Sequence, residues 1–230
     1  MKVPALCSFS GGKDSCLALW RAQQQGIDVR TLLVMFEEGG ERSRSHAIPL
    51  PLIQQQAAAL RLDLVTRNAS WKSYEEVFVA TLKELRAAGH ELAVFGDIDL
   101  QAHRDWEEKV CAAAGIAPLL PLWHQDRRLL AQEVLDAGFK AIVVCVDSRH
   151  LGDEFCGRPY DAAFIASLPA NVDACGENGE FHTFVHDGPN FAAPVPVKVV
   201  GSEGYVAPPE YGSVRYCFAR LELSDARRQT

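Results

Sequence analysis

Ser10-Gly11-Gly12-Lys13-Asp14-Ser15 follows the apolar run Val3 to Phe9 and opens the apolar-periodic segment Cys16 to Gln24. The order reads as strand, glycine turn, helix. Two adjacent glycines let the backbone turn tightly and approach a ligand, so successive N–H groups and the positive end of the helix can converge on an anion. The hydroxyls of Ser10 and Ser15 add donors, and Lys13 adds a mobile point charge suited to a phosphate or to departing pyrophosphate. The spacing is neither G-x-x-x-x-G-K-[ST] nor G-x-G-x-x-G. A plain strand-to-helix turn is the bland alternative; two hydroxyls and a lysine at a helix start weigh against it.

Outward from the loop, Val29 to Phe36 reads as a second buried strand, followed by the polar segment Glu37 to Ser45 with its glycine pair. Ligand loops follow the carboxyl ends of parallel strands in this way. His46 comes next and is either a loop filler or a ligand at the site edge. A helix from Pro49 to Leu60, a strand from Leu62 to Thr66, and a helix from Ser70 to Ala88 with Ser70 as N-cap and Gly89 as stop are expected. Leu92 to Asp99 is a buried strand that ends in Gly96-Asp97-Ile98-Asp99. Carboxylates there can hold magnesium, orient an amine or bind a ribose. Asp99 is equally placed to cap the helix Gln101 to Ala114, on which Arg104 and Glu107 can pair at the surface.

A short apolar segment, Pro118 to Trp123, a helix from Arg127 to Ala137 and a core strand from Phe139 to Val146 complete the alternation. It predicts an α/β fold: a Rossmann-like parallel sheet with helices on both faces over residues 1–146, with a nucleotide across the strands' carboxyl ends. From residue 147 the rhythm breaks, and residues 147–230 read as a smaller α+β domain. A loop-like stretch, Ser148 to Pro159, and a short helix, Tyr160 to Ser167, come first. Strands are expected at Val195 to Val200 and Val214 to Leu223, and a frayed tail at Ala226 to Thr230.

Between them lies the second dense stretch, Asn171 to Pro189. Gly176 and Gly179 allow Glu177 and Glu180 to turn inward, with Asn178, His182 and Thr183 beside them and Phe181, Phe184 and Val185 on a half-buried strand. A glycine hairpin with solvated acids is the alternative.

The 230 residues can bury one larger core or two small ones, and 48% hydrophobic with 23% charged residues is ordinary for a globular chain. A net charge of −7 gives no general basic field, which weighs against a nucleic-acid partner. No apolar run reaches the ~18 residues of a membrane span and no signal peptide precedes the first strand, so a cytoplasmic protein is expected. Seven cysteines, widely spaced and without C-x-x-C, read as reduced thiols, with Cys7 and Cys145 as core residues.

At residues 10–15 the chain resembles the PP-loop ATP pyrophosphatases. The resemblance implies a loop that holds the pyrophosphate of ATP and an enzyme that cleaves between the α and β phosphates. Most of the chain is similar to the diphthine–ammonia ligase family and its bacterial relatives. That likeness adds Gly96-Asp97-Ile98 with Glu107 and Cys111 downstream, Pro121-Leu122-Trp123, the glycine–glutamate block at 176–183, and Asp187-Gly188-Pro189. It differs at Asn178 and His182, where eukaryotic and archaeal members carry glycine and glutamate, and in Asp99-Leu100-Gln101-Ala102-His103. These differences fall in the acceptor region, so ATP use carries over better than substrate identity.

What the resemblance implies is an AMP-forming ligase using ATP and Mg²⁺, which adenylates a carboxylate acceptor and lets ammonia replace AMP. Bacterial relatives linked to cobalamin salvage extend the acceptors to small carboxylates. Ser10, Gly11, Gly12, Lys13, Asp14, Ser15, His46, Gly96 and Asp97 would hold the nucleotide, with Asp14 working through magnesium. Lys13, Glu177, Glu180 and His182 would serve the chemistry; Asp99, Arg104, Gly176, Asn178, Gly179 and Thr183 would bind the acceptor. A glutamate or histidine there could take a proton from attacking ammonium. Two other functions stay open: tRNA thiolation, which would need a persulfide-carrying cysteine and a basic RNA surface, and a nucleotide-binding sensor without turnover. A homodimer stays open as well.

Overall fold

A computed structural model describes residues 3–44, 46–209 and 212–224. In its first half β1 (Pro4–Ser8), α1 (Lys13–Gln24), β2 (Asp28–Phe36), α2 (Leu50–Leu60), β3 (Asp63–Asn68), α3 (Tyr74–Ala87), β4 (Leu92–Val94), α4 (Gln101–Ala114) and β5 (Ala117–Leu119) alternate. All five strands pair in parallel, in the order β3-β2-β1-β4-β5. The chain winds outward from β1 to β3, then returns to the other side of β1. Such a reversal opens a crevice beyond the carboxyl ends of the two central strands.

Alternation along the strands sets the layers. Ala5 and Cys7 of β1, Leu32, Val34 and Phe36 of β2 and Val94 of β4 face one core with α1 and α2. Leu6, Leu33, Met35, Ala93 and Phe95 face the other, against Phe78 and Leu82 of α3 and Val110 and Cys111 of α4. Helices therefore cover both faces, as the sequence rhythm predicts.

The second half holds α5 (Arg127–Asp136), β6 (Lys140–Asp147), β7 (Pro159–Tyr160), α6 (Ala162–Ser167), β8 (Phe181–Asp187), β9 (Val197–Val206) and β10 (Arg215–Leu223). Here β6 is central and pairs antiparallel with β7, β8 and β10, while β9 lies outside β10. The expectation that β6 continues the parallel sheet is therefore corrected. Its run Ala141 to Val146 is what any strand buried on both faces requires, and such a run does not say which neighbours it pairs with. A cut after Val146 would divide β6 from its own sheet.

Two smaller expectations also change. Ser70 does not cap α3; it forms reciprocal hydrogen bonds with Ser73, each hydroxyl accepting from the other's backbone N at 3.1 Å, and the helix starts at Tyr74. Asp99 does not cap α4, whose N-cap is Leu100. Cys7 and Cys145 are core residues, as expected. The tail Ala226 to Thr230 lies outside the described residues. Among the described residues no helix is long and apolar enough to cross a membrane.

Candidate active site

The six-residue loop sits at the carboxyl end of β1, and its last three residues form the first turn of α1. Gly11 has φ +82°, a left-handed conformation that L side chains rarely adopt. At Gly12 a Cβ would lie 2.7 Å from His46 Nε2 and 3.1 Å from the Thr183 carbonyl oxygen, so only glycine leaves the cradle open. The Ser10 and Ser15 hydroxyls are 3.1 Å apart, and Ser15 Oγ donates to the Gly12 carbonyl at 3.0 Å.

The strand β8 of the second sheet docks directly on this loop. Val185 N donates to Gly11 O at 2.9 Å, and Lys13 N donates to Thr183 Oγ1 at 3.0 Å. Gln56, a fully buried amide on the apolar stripe of α2, donates its Nε2 to both Gly11 O (2.9 Å) and Val185 O (2.6 Å). Lys13 is 2% exposed. Its ammonium lies 2.7 Å from Asp14 Oδ2, donates to the Cys175 carbonyl, and stands 5.5 Å from the Phe181 ring centroid. Burial opposes its charge, but the adjacent Asp14 carboxylate outweighs that and holds the lysine protonated.

Loop and second sheet together wall a cleft of about 970 Å³. His46 and His182 stand side by side in it, ring centroids 4.5 Å apart. Burial first drives both below the usual histidine range, His182 to about 4, with His182 and Lys13 adding to the effect on His46 and Lys13 to that on His182. Both are neutral at pH 7. His46 Nδ1 is buried on the side of the Arg44 backbone, which leaves Nε2, beside Gly12, as the nitrogen turned toward the loop.

The cleft also carries an acidic group. His103 Nδ1 and Asp97 Oδ1 are 2.7 Å apart. Burial opposes ionisation of Asp97, but hydrogen bonds from His103 and Glu107 hold it below the usual carboxylate range. Glu107 is pushed up to about 11, first by burial and then by the Asp97 carboxylate. An ionised Glu107 would leave its buried Oε2 without a donor; the protonated acid donates to Asp97 instead. Glu177 Oε1 accepts from Ile98 N at 3.0 Å, yet burial raises its carboxyl to about 7. Among the carboxyl groups here it is the one poised to exchange a proton near neutrality, and its neighbour His103 is raised above the ordinary histidine value, first by its hydrogen bond to Asp97.

Glu177 is aimed by its loop. Arg127 Nε donates to Asp99 Oδ2 at 2.8 Å, and its Nη1 donates to Asp173 Oδ2 and Asn178 Oδ1, both at 3.1 Å. Asp173 Oδ2 in turn accepts from Glu177 N at 2.8 Å. Arg127 thus ties the segment after β4 to the block at 173–180.

Ser10, Lys13, Asp14, Ser15, His46, Gly96, Asp97, Gly176, Glu177, Asn178, Gly179, His182 and Thr183 all border the cleft. Gly96 is needed where it stands, because a Cβ there would meet Ser15 N at 2.8 Å. Five expected residues do not border the cleft. Gly11 and Gly12 shape the loop from behind, packed against Gln56, His46 and β8. Glu180 is 2% exposed and faces its own loop, accepting from Asp173 N, Asn178 N and Asn178 Nδ2, so it shapes the turn. Asp99 is occupied by Arg127. Arg104 pairs with Glu108 at 2.6 Å and lies over Trp123, while its expected partner Glu107 is buried in the cleft. Sequence reasoning passed over Arg44, Trp71, Gln56 and Arg127. Gln56 had a signal, a polar residue on an apolar helical stripe; Arg127 had none, since its partners are 28 to 51 residues away.

A parallel sheet with a glycine-rich loop at its switch point, closed by a second sheet that brings in an acid, is the architecture of an α/β protein of the PP-loop type. The chain belongs to the diphthamide synthase family: the model of the diphthamide synthase N-terminal domain matches residues 1–118 and that of the C-terminal domain residues 126–206. It is similar to the diphthine–ammonia ligase of Bos taurus, at 29% identity over 83% of this chain and 80% of that one. For the diphthine–ammonia ligase of Homo sapiens the figures are 27%, 98% and 93%. The solved structure of a predicted tRNA methyltransferase subunit from Methanocaldococcus jannaschii aligns at TM-score 0.43 and 17% identity, over 62% of this chain and 80% of that one, a likeness too slight to argue from.

Proposed function

We propose that this chain is an ATP-dependent, AMP-forming ligase that converts a carboxylate to an amide with ammonia. A carboxylate oxygen attacks the α-phosphorus, pyrophosphate leaves, and ammonia then displaces AMP from the acyl carbon. The observation that carries the reading is that the phosphate loop and Glu177 border one cleft, joined by the Lys13–Thr183 and Gly11–Val185 hydrogen bonds.

Ser10, Ser15, Lys13 and the Gly11–Gly12 backbone receive the phosphates, and the Lys13 charge meets the departing pyrophosphate. Glu177, with its carboxyl near 7, takes the proton that ammonium must lose to become a nucleophile. Magnesium bound to ATP would neutralise phosphate charge. Asp14, which borders the cleft, would be its protein ligand. The acceptor is a carboxylate, and a small metabolite is within reach of the cleft.

Thiolation gains no support from the thiols. Six of the seven are buried, and Cys175 beside the loop is pushed up to about 12 by burial, away from thiolate reactivity. The test is to incubate the purified protein with ATP, Mg²⁺, ammonium and a panel of carboxylates, separating AMP from ADP. Acceptor-dependent AMP and pyrophosphate, reduced about 10²–10³-fold in Lys13→Ala, are expected. ATP binding with no AMP for any acceptor would favour the sensor.

A further inference from the structure

Arg44, which borders the cleft, has no role in the reading above. Its backbone N donates to Met35 O at 3.1 Å, and its Nη2 donates to the Ala69 carbonyl, so the residue is pinned to the ends of β2 and β3. The guanidinium carbon lies 4.3 Å from the Trp71 ring centroid and 5.8 Å from that of Tyr74. Stacking on aromatic faces holds a guanidinium flat and leaves its N–H edges for a ligand. Yet among the described residues Nε is buried without a hydrogen-bond partner and no ion pair includes Arg44.

The other strong cation of the lining, Lys13, already has Asp14. Asp97 and Glu177 make the rest of the cleft unfavourable for an approaching carboxylate, so an anion needs its own counter-charge. Trp71 is 61% exposed beside Arg44, a large apolar surface at the rim of the cleft.

We propose that Arg44, held on Trp71 and Tyr74, is the anchor for the carboxylate of the acceptor, and that Trp71 selects acceptors whose carboxylate adjoins an apolar or planar group. This rests on the ligase reading. A guanidinium with unused donors takes a carboxylate through paired, charge-assisted hydrogen bonds that a lysine cannot reproduce.

Trp71 also supplies the readout. The protein, saturated with an α,β-methylene analogue of ATP whose α–β link resists cleavage, is titrated with benzoate and glutarate and with their neutral amides while tryptophan emission is followed. The carboxylates should shift the emission and the amides should not, and Trp71→Phe should abolish the shift. Arg44→Gln should weaken carboxylate affinity at least tenfold and Arg44→Lys less, with melting temperatures near wild type showing that both variants fold. No response to either carboxylate, or an equal response in Arg44→Gln, overturns the proposal. Equal loss of analogue affinity in Arg44→Gln also overturns it, since the anion at Arg44 would then be a phosphate of the nucleotide. The titration needs no turnover, so its failure is separate from a failure to form AMP.

Discussion

The phosphate loop at 10–15 and the acidic block at 173–180 meet in one cleft but are held in different ways. The loop's turn is local, made by a left-handed glycine, a serine pair five residues apart and a hydroxyl that turns back on Gly12, and Gln56, Thr183 and Val185 then buttress it from outside. The block keeps its turn through Glu180, but its aim depends on Arg127, 46 residues from Asp173, and on Ile98, 79 residues from Glu177. The turn at 10–15 is therefore written in a short motif, whereas the placement of an acid is a property of the assembled tertiary structure.

The largest effects should separate the two regions. Gly12→Ala forces a Cβ against His46 and the Thr183 carbonyl, and overpacking of this kind costs ~1–3 kcal/mol; binding of an ATP analogue, followed calorimetrically, should weaken about tenfold or more. Glu177→Gln should leave that binding near wild type and lower amide formation about 10²–10⁴-fold. Because the working form of Glu177 is deprotonated, wild-type kcat/KM should fall as pH drops through about 7. The variant should lose that limb. A Glu177→Gln enzyme with the same pH profile would place the base elsewhere.

Arg127→Gln tests whether the block owes its aim to the rest of the chain. The substitution removes the charge that joins Asp99 to Asp173, so the segment at 173–180 should exchange amide hydrogens faster, with exchange at 10–15 little changed. Misplacing Glu177 should cost roughly tenfold to a hundredfold in turnover. Unaltered exchange at 173–180 would mean that Glu180 and the glycines suffice.

The same contrast decides what could be read from the sequence. The loop, the parallel sheet and the glycine–glutamate block were legible because each is contiguous or periodic. The sheet that β6 joins was not, since a two-sided apolar run looks alike in a parallel and an antiparallel setting. Nor was the division of labour between Glu177 and Glu180. Three residues apart in a glycine-rich turn, they differ only in which donors the folded chain supplies: Ile98 N for one, the block's own amides for the other. Arg104 and Glu107 looked like a surface pair at helical spacing, but α4 turns Glu107 inward to Asp97.

That buried pair gives the smallest effect and the finest test of long-range placement. With its carboxyl near 11 in the folded state and 4.5 ordinarily, Glu107 carries a proton in the native protein that the unfolded chain has released over that whole interval. The native state binds more protons there, so stability falls as pH rises above about 4.5. Glu107→Gln keeps the shape and offers Asp97 an amide donor without that linkage. The variant should melt higher than wild type at pH 8, by roughly 2–4 °C for each kcal/mol recovered, and the gap should close as pH falls toward the ordinary carboxylate range. A constant gap across pH 5 to 8 would show that Glu107 is ionised in the native state, leaving two adjacent carboxylates to be neutralised by a bound cation. Asp97 and Glu107 would then belong to the substrate-binding apparatus, where the present geometry makes them a proton-shared strut beneath Glu177.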